Sequence, residues 1–245
     1  MDAADLLLAA RHDPAKRLAD LPEAVRPTDL AGAYAIQHRI MGALGAIGGW
    51  KVGAPGPEAP PICGPLPQSG IMASPAKLPA ATHHMRGIEA EVAFRVGHDL
   101  PPKATPYSRE EVMAAMATAH PAIETLESRY LDVDKVAMPS NLADSQSHAA
   151  FIYGAGRADW HGIDFTRETV EQAIDGAAIQ RTGNPVGDMV RLVVWLANVG
   201  SVWSGGLKAG QFVTCGSWTG KTLAGASSKV RVRFPSLGEV ALDYV

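Results

Sequence analysis

The chain is poor in cysteine. Cys63 and Cys215 are the only two, and they stand in no metal-ligand or redox spacing, so a reduced, cytoplasmic setting is expected. Charge is scarce too. Charged residues make up 19% of the chain and the net charge is −3, which leaves no basic footprint for a nucleic-acid partner. No run approaches the ~18 apolar residues that a membrane span needs. Leu6-Leu7-Leu8-Ala9-Ala10 is short and lies next to Asp2 and Asp5, the wrong flanks for a signal peptide. Internal repeats, linkers and low-complexity tracts are missing as well.

Hydrophobic residues, by contrast, reach 47% over 245 positions, enough for a sizeable core in one large domain or two small ones. The 25 Gly and 18 Pro point to many turns and short strands. Residues 3–11 suit a short helix stopped by Asp13-Pro14. A longer helix follows Thr28 as N-cap, with Leu30, Tyr34, Gln37, Met41 and Leu44 on one face and Gly45 after it. Ala54 to Pro67 is expected to be a long loop, because it is dense in Pro and Gly. A capping box, Ser108-Arg109-Glu110-Glu111, opens a helix expected to reach about Ala119. Asn184 as N-cap and Pro185 at the first helical position predict another helix, with Val186, Val190, Val193 and Ala197 buried. Lys229–Phe234 and Glu239–Val245 alternate and predict a closing hairpin with Leu237-Gly238 in its turn.

The stretch Gly87-Ile88-Glu89-Ala90-Glu91-Val92-Ala93-Phe94 reads as a strand with period two. Ile88, Ala90, Val92 and Phe94 share one face; Glu89 and Glu91 share the other, about 7 Å apart at Cα. Such a pair is either a solvated face or two ligands of a hard divalent ion. In the next strand, His120 to Glu127, Glu124 shares its face with Ala122 and Leu126. A carboxylate on an apolar face needs a partner, so Glu124 is the natural third ligand. Lys51 sits in a short apolar strand between glycines, facing away from Trp50 and Val52. His83-His84 carries little weight as a metal pair, since adjacent residues on an extended segment face opposite ways.

Six motifs in a fixed order carry a resemblance: Gly49-Trp50-Lys51-Val52-Gly53, Glu89-Ala90-Glu91-Val92-Ala93-Phe94, Pro121-Ala122-Ile123-Glu124, Ala143-Asp144-Ser145-Gln146-Ser147, Gly183-Asn184-Pro185 with Trp195-Leu196-Ala197-Asn198, and Leu207-Lys208-Ala209-Gly210. From about Asp29 onward the chain resembles the fumarylacetoacetate hydrolase superfamily, in the branch of 2-keto-4-pentenoate hydratases and 4-oxalocrotonate decarboxylases. The resemblance implies an α+β fold, a mixed β-sandwich roll with flanking helices, over a single catalytic domain 1–245 with a helical N-terminal segment 1–48. It implies Mg²⁺ or Mn²⁺ on Glu89, Glu91 and Glu124. It matches Lys51 to the active-site lysine, Ser147 to a substrate-contacting serine and Asp144 to the aspartate that opens their loop. Two departures stand out: Pro61-Ile62-Cys63-Gly64 lacks the acid common at the second position, and Ser145 replaces a usual Asn.

The implied function is a metal-dependent lyase for a small unsaturated 2-oxo acid. A hydratase working through a metal-bound enolate comes first, with Lys51 moving protons after its pKa is lowered by burial and the nearby cation. The alternatives are a 4-oxalocrotonate-type decarboxylase, a C–C hydrolase of acylpyruvates, and a non-catalytic subunit stabilised by metal. The hydrolases of the superfamily typically carry Asp as third ligand and a His-Glu pair on a lid; His12 and His38 have no evident paired Glu. Homo-oligomers, or assembly with a sister decarboxylase or hydratase in aromatic-compound catabolism, are the implied partners.

Overall fold

The computed structural model describes residues 1–245. Two helices lead the chain, α1 (Ala3–His12) and α2 (Leu30–Leu44), and β1 (Ile47–Gly53), β2 (Ile62–Pro67), β3 (Ile71–Ala73), β4 (Ala76–Leu78) and β5 (Gly87–Val96) follow. Next come α3 (Arg109–Ala115), β6 (Met116–Leu126), α4 (Met138–Ala143), β7 (His148–Tyr153), β8 (Thr169–Ile174) and β9 (Ala177–Thr182). The chain then runs through α5 (Val190–Trp195), β10 (Phe212–Thr214), β11 (Thr222–Leu223), β12 (Lys229–Phe234) and β13 (Gly238–Tyr244). No helix is long and apolar enough to cross a membrane.

The strands form two mixed sheets. The larger runs β2-β1-β10-β5-β6-β7-β3, with β11 also on β5; the smaller runs β4-β13-β12-β8-β9. β1 with β10, β3 with β7 and β4 with β13 are the parallel pairs. Ile88, Ala90, Val92 and Phe94 of β5 join Val230 and Val232 of β12 and Val240 and Leu242 of β13 in one core. This is the apolar face that period-two alternation predicts. The opposite face of the large sheet holds a smaller apolar group, Leu66, Ala93, Ala122, Phe151 and Phe212. α1, α2 and α4 meet over a third group that includes Leu7, Leu21, Ile40, Tyr130 and Leu142.

Local chemistry sets the ends of the helices. Asp2 and Asp5 form a capping box on α1. Asp29, one residue beyond the expected Thr28, caps α2 by accepting from the Gly32 amide at 2.8 Å. Gly45 leaves α2 with φ 102°, a conformation that only glycine adopts without steric cost.

Four expectations need correction. The loop after Lys51 is shorter than predicted, because Ile62–Pro67 pairs antiparallel with β1. Proline cannot donate to a ladder, which hides a strand from sequence reading, but β2 is an edge strand and tolerates it. Its outer groups are met by α2: the Cys63 amide donates to the Tyr34 hydroxyl at 3.2 Å, and Gln37 Nε2 donates to the Cys63 carbonyl at 3.3 Å. The helix from the capping box stops at Ala115, and β6 begins at Met116, before His120. α5 starts at Val190, not Pro185. Asn184 accepts from the Val186 amide at 3.0 Å and donates to the Cys215 carbonyl at 3.1 Å, so it ties its loop to the end of β10. In the closing hairpin Gly238 already pairs with Phe234, so the turn is Pro235-Ser236-Leu237. The β8–β9 hairpin has no counterpart in the sequence reading. Its turn, Asp175-Gly176, has φ of 53° and 86°, the type I′ form that suits twisted strands.

The segment between β6 and β7 is held by one buried ion pair. Arg129 donates from Nε and from its own amide to the Asp144 carboxylate, from Nη2 to the Asp144 carbonyl and from Nη1 to the His148 carbonyl. Both side chains are 3% exposed. Removing one partner strands the other's charge out of water. Asp144→Ala is therefore expected to cost about 3–5 kcal/mol in urea unfolding. A loss below ~1 kcal/mol would show a pair screened by solvent.

Candidate metal centre and its cavity

The register between β5 and β6 places Glu89 directly opposite Glu124, and Glu91 opposite Ala122. Directly opposed residues in an antiparallel pair point to the same face. Three carboxylates thus converge, with one oxygen of each within 4.8 Å of the others. Glu124 is fully buried, Glu91 is 2% exposed, and Glu89 is half-buried.

Neighbouring strands supply the rest. Lys51 on β1 is in register with Thr214 on β10, which is in register with Ala93 on β5. Thr214 donates its hydroxyl to Glu91. Lys51 Nζ lies 2.7 Å from Glu124 Oε1, and His148 Nδ1, at the start of β7, lies 2.9 Å from the same oxygen. Glu124 Oε2 is buried and has no hydrogen-bond partner. Two donors thus saturate one oxygen and leave the other for a different Lewis acid.

The electrostatics are those of a centre that is short of positive charge. Burial pushes Glu89 up to about 7, with Lys51 opposing and Glu124 adding. Glu91 is pushed well above the ordinary carboxylate range by burial, and then by the charges of Glu124 and Glu89. Burial also works to raise Glu124, but Lys51 and the His148 hydrogen bond hold it below its ordinary value. Burial lowers His148 to about 4 against the pull of Glu124, so at neutral pH it is a neutral donor. For Lys51 burial works downward, yet Glu124 and then Glu89 carry its pKa above the ordinary value. Without a cation the carboxylates outweigh burial; the lowering expected from the sequence depends on a cation beside Lys51. Were all three carboxylates ionised, against one ammonium they would leave two negative charges, the complement of one divalent ion.

The loop Ser145-Gln146-Ser147 borders this centre. Its three residues have φ of 49°, 52° and 64°, a left-handed run that costs about 1–2 kcal/mol per residue outside glycine. Such strain concentrates at functional sites. The run turns the Gln146 carbonyl to Lys51 Nζ at 3.4 Å. A cavity of about 530 Å³ opens over the centre; its lining includes Lys51, Glu89, Glu91, Gln146 and Ser217 together with Leu30, Ile62, Met138 and Val186. A second cavity of about 190 Å³ shares Lys51, Glu89 and Gln146 and contains Ser147, Asn141 and Lys221.

Of the residues singled out in the sequence, Lys51, Glu89, Glu91 and Glu124 stand together. Ser147 lies in the smaller cavity. Asp144 faces Arg129 and lines neither of these cavities. Ile62, where an acid was expected from the family pattern, lines the larger one. His83 turns to the Pro79 carbonyl, away from the carboxylates. His148 and Thr214 were missed. A histidine opening the apolar run Ala149–Tyr153 was the available signal for the first; only strand register reveals the second.

The fold recurs in known proteins. No family model matches the chain. It is 27% identical over 160 residues to a 4-oxalocrotonate decarboxylase from a Pseudomonas species, covering 64% of this chain and 59% of that protein. It is 27% identical over 149 residues to a 2-keto-4-pentenoate hydratase from Paraburkholderia xenovorans (strain LB400), covering 57% of this chain and 52% of that one. The chain thus spans between half and two thirds of the length of these relatives. The structure of a 4-oxalocrotonate decarboxylase from Pseudomonas putida G7, complexed with magnesium and adipate, superimposes with a TM-score of 0.82 at 22% identity, over 100% of this chain and 99% of that one. These relatives carry the names of the two enzyme groups, hydratase and decarboxylase, that the six motifs resembled.

The raised carboxyls give a pH signature. A carboxyl that holds its proton more tightly in the folded state stabilises that state less as pH climbs from the ordinary carboxylate range through about 7. A divalent ion requires ionised carboxylates and relieves that loss. Saturating Mg²⁺ should therefore raise the melting temperature more at about pH 8 than at about pH 5.5. Differential scanning fluorimetry measures this; equal increments at both pH values would mean that the centre is already ionised without the ion.

Proposed function

We propose that the protein is a divalent-metal-dependent lyase acting on a small unsaturated 2-oxo acid, as a hydratase of the 2-keto-4-pentenoate type. The carrying observation is the convergence of Glu89, Glu91 and Glu124 with Lys51 at one end of an open cavity. Hard divalent ions take oxygen ligands, and the donor set fits: three carboxylates, one with a buried unpartnered oxygen, and a charge deficit of two. Glu89, Glu91 and Glu124 would hold Mg²⁺ or Mn²⁺. The ion would supply Lewis-acid stabilisation of negative charge on the substrate's oxygens.

The chain's own residues supply the proton chemistry. Lys51 keeps a proton at Nζ at neutral pH and faces the cavity. Its bonds to Glu124 Oε1 and the Gln146 carbonyl hold the ammonium at the cavity wall, from which it would deliver a proton to a substrate carbon. His148, neutral and buried, fixes Glu124 from behind. Ser147 reaches substrate from the adjoining cavity. We assign Asp144 to holding that loop through Arg129 and not to chemistry. Residues 1–245 act as one catalytic domain, whose helical segment 1–48 contributes Leu30 to the cavity wall.

The fold match supports a decarboxylase as second reading, since the solved neighbour of that name is covered almost end to end. A hydrolase has less support: His38 stacks on Trp203 at 3.7 Å between ring centroids, and no water-activating His-Glu pair lines the cavity.

Two variants test the reading. Lys51→Met is expected to keep fold and Mg²⁺ binding but to lose about 10²–10⁴-fold in turnover of 2-hydroxypenta-2,4-dienoate, followed by its ultraviolet absorbance. Undiminished turnover would remove Lys51 from the mechanism. Glu124→Gln, nearly isosteric, should weaken Mg²⁺ binding in calorimetric titration; affinity equal to the parent would refute the triad.

A further inference from the structure

We infer that the substrate's tail, beyond the 2-oxo acid head, is uncharged and apolar, and that the site rejects a second carboxylate. The inference rests on the reading that the carboxylate end of the large cavity takes the head of a 2-oxo acid. A cavity of about 530 Å³ lies in the range of about 300–1,000 Å³ that accommodates drug-sized ligands. A five-carbon acid leaves much of it to be filled.

Apart from Lys51, the two glutamates, Gln146 and Ser217, the side chains that line the cavity are apolar: Leu30, Val52, Ala54, Ile62, Met138 and Val186, with three prolines. Lys51 is the one cation on the wall, and its charge is committed to Glu124 at 2.7 Å. Arg191 lies behind the wall, where it donates to the carbonyls of Gly56 at 2.7 Å and Ala59 at 3.2 Å and so braces the loop between β1 and β2. A tail carboxylate would meet no free cation in this cavity and would look back at Glu89 and Glu91. A buried charge left without a partner is strongly disfavoured, while each buried methylene gains about fourfold in affinity.

The nearest competing cation is Lys221, in the smaller cavity. It is already paired with Asp134, at 3.0 and 3.2 Å. A dicarboxylate could be held there only by breaking that pair. The decarboxylase of similar fold was solved with adipate, a dicarboxylate; the wall described here is built for the opposite kind of tail.

The test uses the full-length protein saturated with Mg²⁺ and calorimetric titration with saturated 2-oxo acids, so that binding is read without turnover. Affinity should rise about fourfold per methylene from 2-oxobutanoate to 2-oxohexanoate. The matched diacid, 2-oxohexanedioate, should bind at least about tenfold more weakly than 2-oxohexanoate. Met138→Lys, at a side chain 54% exposed and so tolerant of change, should close or reverse that gap. A flat methylene series, or a diacid that binds as tightly as 2-oxohexanoate, overturns the inference. If Lys221→Met then abolishes diacid binding, the tail runs into the smaller cavity instead. If Mg²⁺ binds but none of the acids does, the functional reading itself falls, and the inference with it.

Discussion

The structure turns on one register. Because β5 and β6 pair with Glu89 against Glu124, three carboxylates share a face that is largely closed to water. Such a group cannot be fully ionised at neutral pH without positive charge nearby. Lys51 supplies one charge and His148 a neutral hydrogen bond, both to the same oxygen. A slip of one residue in that pairing would turn Glu124 to the opposite, apolar face. Cα pairing between Phe94 and Ala119 and between Ile88 and Thr125 locks the slip out over the length of both strands.

The sequence exposed what is periodic or chemically marked. Alternation in β5 and β12–β13, the capping boxes at Asp2 and Ser108, and the odd carboxylate on the apolar face of β6 could all be read directly. What it concealed depends on pairing across the chain. β2 carries prolines and looks like loop until β1 lies beside it. Asn184 followed by proline looks like a helix start, but its side chain is claimed by the Cys215 carbonyl. Asp175-Gly176 was a legible turn signal that was passed over. Thr214 reaches Glu91 across strands far apart in sequence, and no local pattern marks it. The carboxylates around Lys51 lie on other strands, so no local pattern shows how strongly they oppose burial at its ammonium.

The cavity has two unlike ends. At one, Lys51 of β1 pairs with Glu124 of β6 and Thr214 of β10 bonds to Glu91 of β5, and the strained run Ser145–Ser147 is pinned beside them by Arg129 and Asp144. At the other, the wall is made of α2, the β1–β2 loop, the start of α4 and the turn after Asn184. Loops and helix ends vary more readily than central strands. In the proposed function the chemistry would therefore be carried by the part of the fold that is hardest to change, and recognition of the tail by the part that is easiest.

The edge at β2 has a consequence beyond the site. A terminal strand with free donors and acceptors is a template for other chains. Here Pro65 and Pro67 remove two donors, and Tyr34 and Gln37 occupy the outward amide and carbonyl of Cys63. The feature that disguised this strand as a loop also seals the sheet against growth by strand addition, so a crowded solution offers it no foothold for fibrillar stacking along that side.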